Sequence, residues 1–189
     1  MLTRNQAMEM LKSRDSEAVI IAHCLQTEAV LRGLAEHMDR DRDLWGVTGL
    51  LHDLDYPDTW QEPEKHGAFA AGQLADKLPE EALAAIRAHN AEENGASPQS
   101  DLDFALRCGE SVTGLISANA LVRPQGMQGM KPSSLKKKMK DKSFAAGVSR
   151  ERIMECERLG LDLDNFLRIG IESLAGMADH PEGGLSSGS

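Results

Sequence analysis

The 189-residue sequence is poor in aromatics, with two Trp, one Tyr and four Phe. Its core must therefore be built from aliphatic side chains, and the many Ala and Leu favour helix. Cysteine is also scarce. Cys24, Cys108 and Cys156 are far apart and odd in number, which excludes a disulfide framework and a zinc knuckle and suits a reducing cytoplasm. Positive charge is in deficit: 21 Lys and Arg against 30 Asp and Glu leave a net charge of −9. That balance argues against general nucleic-acid binding and leaves room only for local basic patches. No apolar run approaches membrane-spanning length, and the opening Met1-Leu2-Thr3-Arg4-Asn5 lacks the basic-then-apolar layout of a signal peptide. No segment alternates as a strand and no internal repeat is visible. The reading is one all-α domain in the cytoplasm, long enough for a single buried core.

What is present is helical periodicity. Thr3 predicts an N-cap for a helix to about Lys12, with Ala7, Met8 and Leu11 on one face. A second helix begins near Asp15 or Ser16 and keeps apolar spacing to about Met38, with His23 among its apolar positions. Residues 39–43 form a charged connector. An apolar run (Trp45, Val47, Leu50, Leu51) then carries a helix towards Leu50-Leu51-His52-Asp53-Leu54-Asp55-Tyr56, where Pro57 is expected to end it. Residues 57–63 read as a polar loop. A helix opening at Glu64 buries Ala68, Phe69, Ala71, Leu74, Ala75 and Leu78. Pro79 introduces a helix over 80–89, with Leu83, Ile86 and His89 at spacings of three. Residues 90–100 form a loop, and 101–122 one long helix whose apolar face is interrupted by Glu110, Ser111, Thr113 and Gly114. Gly109 and Gly114 in that helix point to close packing against a helix or a ligand. Beyond it lie a Gly- and Met-bearing loop, a short basic helix over 135–142 capped by Ser133 or Ser134, and a helix from Ser149 to Arg158. A last helix is introduced by Asp162 or Asp164, and residues 181–189 make a flexible tail.

Adjacent helical residues point about 100° apart, so His52 and Asp53 cannot both reach solvent while the apolar stripe stays buried. A carboxylate and an imidazole buried together need a positive partner, for which a metal ion is the usual answer. Four histidines, His23, His52, His66 and His89, fall on apolar faces or at element ends, joined by Asp53 and Glu110. Imidazoles and carboxylates drawn from several helices suit one first-row metal ion or a pair. His37 and His180 lack that context and read as surface. Cys24, beside His23, points elsewhere on the helix and reads as a packing residue.

The order His23, His52-Asp53, His66-Gly67, His89, with Thr113-Gly114-Leu115-Ile116 and the block Ala120-Leu121-Val122-Arg123-Pro124 to Ser134-Leu135-Lys136-Lys137-Lys138-Met139, resembles the HD-domain metal-dependent phosphohydrolases. The match is to the small bacterial subgroup labelled HDIG, over residues from about 15 to 175. The resemblance implies an HD core over 15–122, a helical extension over 123–180, and one or two divalent ions (Fe, Mn, Co, Zn or Mg). His23, His52, Asp53 and the acid of the long helix would hold one ion, and Asp53 would bridge to another held by His66 and His89. The family has Asp where this chain aligns Glu110, which is one methylene longer and still an oxygen ligand. Asp103 lies too far upstream to replace it.

The activity implied is hydrolysis of a small phosphate ester, possibly a nucleotide, by a metal-activated water. Asp53 and Asp55 are the candidate catalytic carboxylates, Asp55 orienting either the water or an imidazole. Arg123, Lys131, Lys136 and Lys137 are the candidate phosphate contacts, since Lys is a suitable point charge for phosphate. A silent HD module used in binding or signalling, and a di-iron HD-type oxygenase, are the competing readings.

Overall fold

The computed structural model describes residues 1–177, and among them every regular element is helical. The expected tail over 181–189 and His180 lie outside the described residues. Helix α1 (Arg4–Ser13) is capped by Thr3, whose hydroxyl accepts from the Gln6 amide while Gln6 returns a bond to the Thr3 amide. This reciprocal pairing satisfies two of the donors that a helix start leaves open. Helix α2 (Ala18–His37) is the central element, packed on α3 (Arg42–Leu51), α8 (Asp101–Leu121) and α11 (Leu163–Met177). It is also long and apolar enough, by composition, to cross a membrane, contrary to the sequence reading. Here it is a core helix, with Leu31 and Leu34 fully buried.

The close approach of α2 to α3 sets the site. A Cβ on Gly49 would lie 3.0 Å from the Thr27 carbonyl oxygen, so the absence of a side chain lets the two backbones meet. On helix α8, a Cβ on Gly109 would meet the Leu31 side chain of α2 at 2.7 Å, so that glycine makes room for a core leucine. Both glycines are thus packing positions. Around these lie α4 (Tyr56–Thr59), α5 (Ala68–Leu74), α6 (Glu80–Ala88), α7 (Ala91–Asn94), α9 (Pro132–Met139) and α10 (Arg150–Met154). Short 3-10 turns occupy Pro63–Lys65 and Glu155–Leu159. The segments beyond α8 sit directly on the bundle, α10 against α8 and α11 against α2.

Several boundaries differ from the sequence reading. Helix α3 stops at Leu51, because His52 turns its Nδ1–H back onto the Gly49 carbonyl at 2.8 Å. Pro57 begins a helical turn instead of ending one, its missing N–H costing nothing there. Helix α5 starts at Ala68, not Glu64, which leaves Ala68 and Phe69 exposed and buries Ala70, Ala71 and Leu74. Its start is held by Asp55, whose Oδ2 accepts the amides of Gly67 and Ala70, each at 2.9 Å. Residues 91–94 are helical within the expected loop, and the basic helix starts at Pro132 and ends at Met139. The helix from Ser149 gives way to a 3-10 turn after Met154.

Candidate metal centre

The site is assembled from the ends and faces of five segments. His23 comes from the middle of α2, His52 and Asp53 from the turn after α3, His66 from the turn before α5, and His89 from the end of α6. Glu110 lies on α8. The rings stand edge to face in a row, with centroids 5.1 Å apart for His23 and His52, 5.1 Å for His52 and His89, and 4.8 Å for His66 and His89.

Each imidazole has its Nδ1 occupied. His52 donates to the Gly49 carbonyl at 2.8 Å and His89 to the Ile86 carbonyl at 2.6 Å. His66 donates to Asp55 Oδ1 at 2.9 Å. His23 Nδ1 lies 3.2 Å from the Thr113 hydroxyl, which donates its single proton to the Glu110 carbonyl. Thr113 can therefore only accept from His23. All four rings are so held through Nδ1, and their Nε2 atoms face one space.

Two groups of donor atoms result, each within 4.8 Å: His23, His52 and Asp53, and Asp53, His66 and His89. Asp53 belongs to both. Its Oδ1 lies 3.3 Å from His52 Nε2, 3.2 Å from His66 Nε2 and 3.5 Å from His89 Nε2. Its Oδ2 lies 3.8 Å from His23 Nε2. Two donors at about 2.0–2.1 Å from one ion, at 90° to 109°, are about 2.9–3.4 Å apart; the His52 and His66 distances fall in that range, and those to His89 and His23 lie just above it. Burial favours the neutral carboxyl, but His52, His66, His89 and His23 outweigh it and hold Asp53 well below the usual carboxylate range. Burial pushes His52 down to about 3, which keeps it neutral as a ligand must be.

Glu110 stands apart from both groups. Its Oε2 is 3.9 Å from His23 Nε2, and its Oε1 accepts from Arg152 at 3.0 Å and Ser111 at 2.9 Å. Asp55 is fully buried, with one oxygen on His66 and the other on the α5 amides. Of its two expected roles only the orienting of an imidazole has contacts. Gly67, beside His66, has φ +79°, and a Cβ there would lie 2.6 Å from the Ile86 carbonyl oxygen and 3.0 Å from the His89 ring. Asp103 caps α8 through Gln99 and Ser100, away from the site. Cys24 is buried, and burial raises its thiol well above the ordinary value. His37 is exposed.

A cavity of about 550 Å³ adjoins His23, lined by Glu110, Gly114, Val148, Ser149 and Arg152 among others. None of Arg123, Lys131, Lys136 and Lys137 lines it. Arg123 donates to the Gly126 and Gln128 carbonyls of its own loop, and Lys136 pairs with Asp164 at 2.5 Å. Lys131 and Lys137 are exposed. Helix α9 turns Leu135 inward against the bundle and its lysines outward, which removes the expected phosphate clamp from this cavity. The cation that does line it is Arg152, which the sequence showed only as a first-turn residue of a short helix.

Comparisons with curated proteins and with solved structures return no match. The family model of the HD domain matches residues 20–141, well over half of the chain, and takes in His23, the adjacent His52 and Asp53, His66, His89 and Glu110. With four imidazoles and a shared aspartate gathered within that span, the chain belongs to the HD-domain superfamily of metal-dependent phosphohydrolases.

Proposed function

We propose that this chain hydrolyses a small phosphate ester with the aid of one or two divalent metal ions. The observation that supports this most is the common orientation of four imidazoles, each with Nδ1 occupied and Nε2 directed at Asp53. His23, His52 and Asp53 would hold one ion, with Glu110 within reach, and Asp53, His66 and His89 a second. Bound there, such ions supply a water acidic enough to act as nucleophile and offset phosphate charge. The chain's own residues do the rest: Asp55 and Thr113 keep His66 and His23 in register, and the cavity beside His23 admits the ester. The three cysteines are free and buried, in keeping with a reducing cytoplasm. We also propose that the chain belongs to the HDIG subgroup, with residues from about 123 to 180 as an extension of its core.

The test is elemental analysis of the purified protein, then a screen of small phosphate esters with Mn, Mg, Co and Fe. Metal content near zero after purification with metal present, and no turnover with any ion, would remove the reading. Oxygen uptake without phosphate release would replace it with the oxygenase.

A further inference from the structure

Glu110 occupies the position where the family resemblance calls for a shorter Asp, and it is held from outside the expected core. Its two carboxylate oxygens have different neighbours. Oε2 faces His23 Nε2 at 3.9 Å, while Oε1 takes a bond from Arg152 Nη1 at 3.0 Å. Arg152 reaches in from α10 and is itself fixed by Glu92, whose Oε2 accepts its other nitrogen at 2.5 Å. Glu92 also binds Arg107, a guanidinium buried to 3 % exposure. Arg107 in turn donates to Glu155 through two bonds of 2.7 Å and to the Ala88 carbonyl at 2.9 Å, next to His89. An unbroken chain of charge-assisted bonds thus runs from Glu110 through Arg152 of α10, Glu92 of α7 and Arg107 of α8 to the end of α6, with Glu155 as a branch on Arg107.

We propose that Arg152 is a positioning residue for the metal centre: it holds the Glu110 carboxylate with one oxygen turned to His23, as a further ligand of the ion shared by His23, His52 and Asp53. The inference rests on the metal reading above. A glutamate at a cavity wall has three rotatable bonds, and a bond from a fixed guanidinium removes most of that freedom without consuming the oxygen that faces the site. Partners of this kind typically change metal affinity 10- to 100-fold when lost. An aspartate, one methylene shorter, would not span from α8 to both His23 and Arg152. The longer acid and the arginine therefore act as one unit.

The experiment is titration of the metal-free full chain with Co(II), followed by visible absorption, the two sites being assigned with His23→Ala and His66→Ala. The variants are Arg152→Ala, Arg152→Lys, Glu110→Asp and the double variant Glu110→Asp/Arg152→Ala. Arg152→Ala should weaken the His23 site by about 10- to 100-fold and leave the His66 site within about twofold, and Arg152→Lys should recover part of the loss. In the Glu110→Asp background, removing Arg152 should change the His23 site by less than about twofold, because the shortened acid no longer reaches it. A purely structural Arg152 would lower the melting temperature in both backgrounds while leaving the His23 site intact, and that result overturns the proposal. Equal weakening of both sites, or the same loss in both backgrounds, overturns it too. Absence of Co(II) binding in the unmodified chain overturns the metal reading itself, and this proposal with it.

Discussion

The Nε2 atoms of His66 and His89 lie 3.0 Å apart, although each ring already donates its Nδ1–H to an oxygen. Two lone pairs at that distance repel unless a cation lies between them. In the metal-free protein a proton on His66 would remove that repulsion. Burial pulls His66 down, but its bonds with Asp53 and Asp55 outweigh burial and lift it to about 9. The proton and the metal ion therefore compete for one nitrogen.

That competition has a sign. The folded value of about 9 exceeds the ordinary 6.5, so protonated His66 stabilises the metal-free fold fully below about pH 6.5. The contribution is lost as pH rises through about 9. Metal binding needs the neutral ring, so affinity at the Asp53, His66 and His89 group should climb as pH rises towards about 9 and level off above. Metal titrations across that range, with thermal unfolding of the chelated protein, check both halves. An affinity that is flat with pH would contradict the assignment of the proton to His66.

Asp53→Ala should abolish metal binding and hydrolysis together, since Asp53 alone belongs to both donor groups. Cys24→Ala should leave turnover nearly unchanged, because the thiol is buried and held in its neutral form. A Cys24→Ala protein that keeps its metal yet loses all turnover would point to covalent catalysis instead.

Asp55→Asn should weaken metal binding at His66 by about 10- to 100-fold, because the amide lacks the charge that fixes the imidazole and offers only one acceptor for three donors. The His23 site should be spared. Separate titrations of the two sites give the comparison, and equal weakening would show general unfolding.

Gly67→Ala combines a left-handed backbone with a Cβ 2.6 Å from the Ile86 carbonyl oxygen. A loss of about 2 kcal/mol is expected, or about 4–8 °C in Tm for a chain of this size. Because the His89 ring lies 3.0 Å from the same Cβ, affinity at the His66 and His89 group should fall as well. Calorimetry with and without metal reads both effects.

Replacing Lys131, Lys136 and Lys137 together with Ala should leave KM within about twofold, since none lines the cavity beside His23 and surface changes usually have small effects. A KM raised tenfold would restore α9 as a phosphate-binding element.

Much of this was legible in the linear chain because it is local. Helical spacing alone places α1, α2, α6 and α8 within a few residues, since burying an apolar stripe requires that period wherever the chain lies. The same logic singles out His23 and His52 as polar groups on faces that must be buried. Helix α5 was misread by four residues because its start is fixed by Asp55, a carboxylate from 12 and 15 positions upstream. No local pattern carries that bond.

The donor set itself was a property of the sequence: imidazoles and carboxylates at buried positions leave few chemistries other than metal binding. His52 and His89 are oriented locally, each by a carbonyl three residues upstream. Only the tertiary structure decided which nitrogen of His23 faces the centre, because its acceptor Thr113 lies 90 residues away on another helix. It also exchanged the lysine run for Arg152 as the charge beside Glu110, because side-chain direction on α9 and α10 is set by what each helix buries against α8, not by the number of charges it bears.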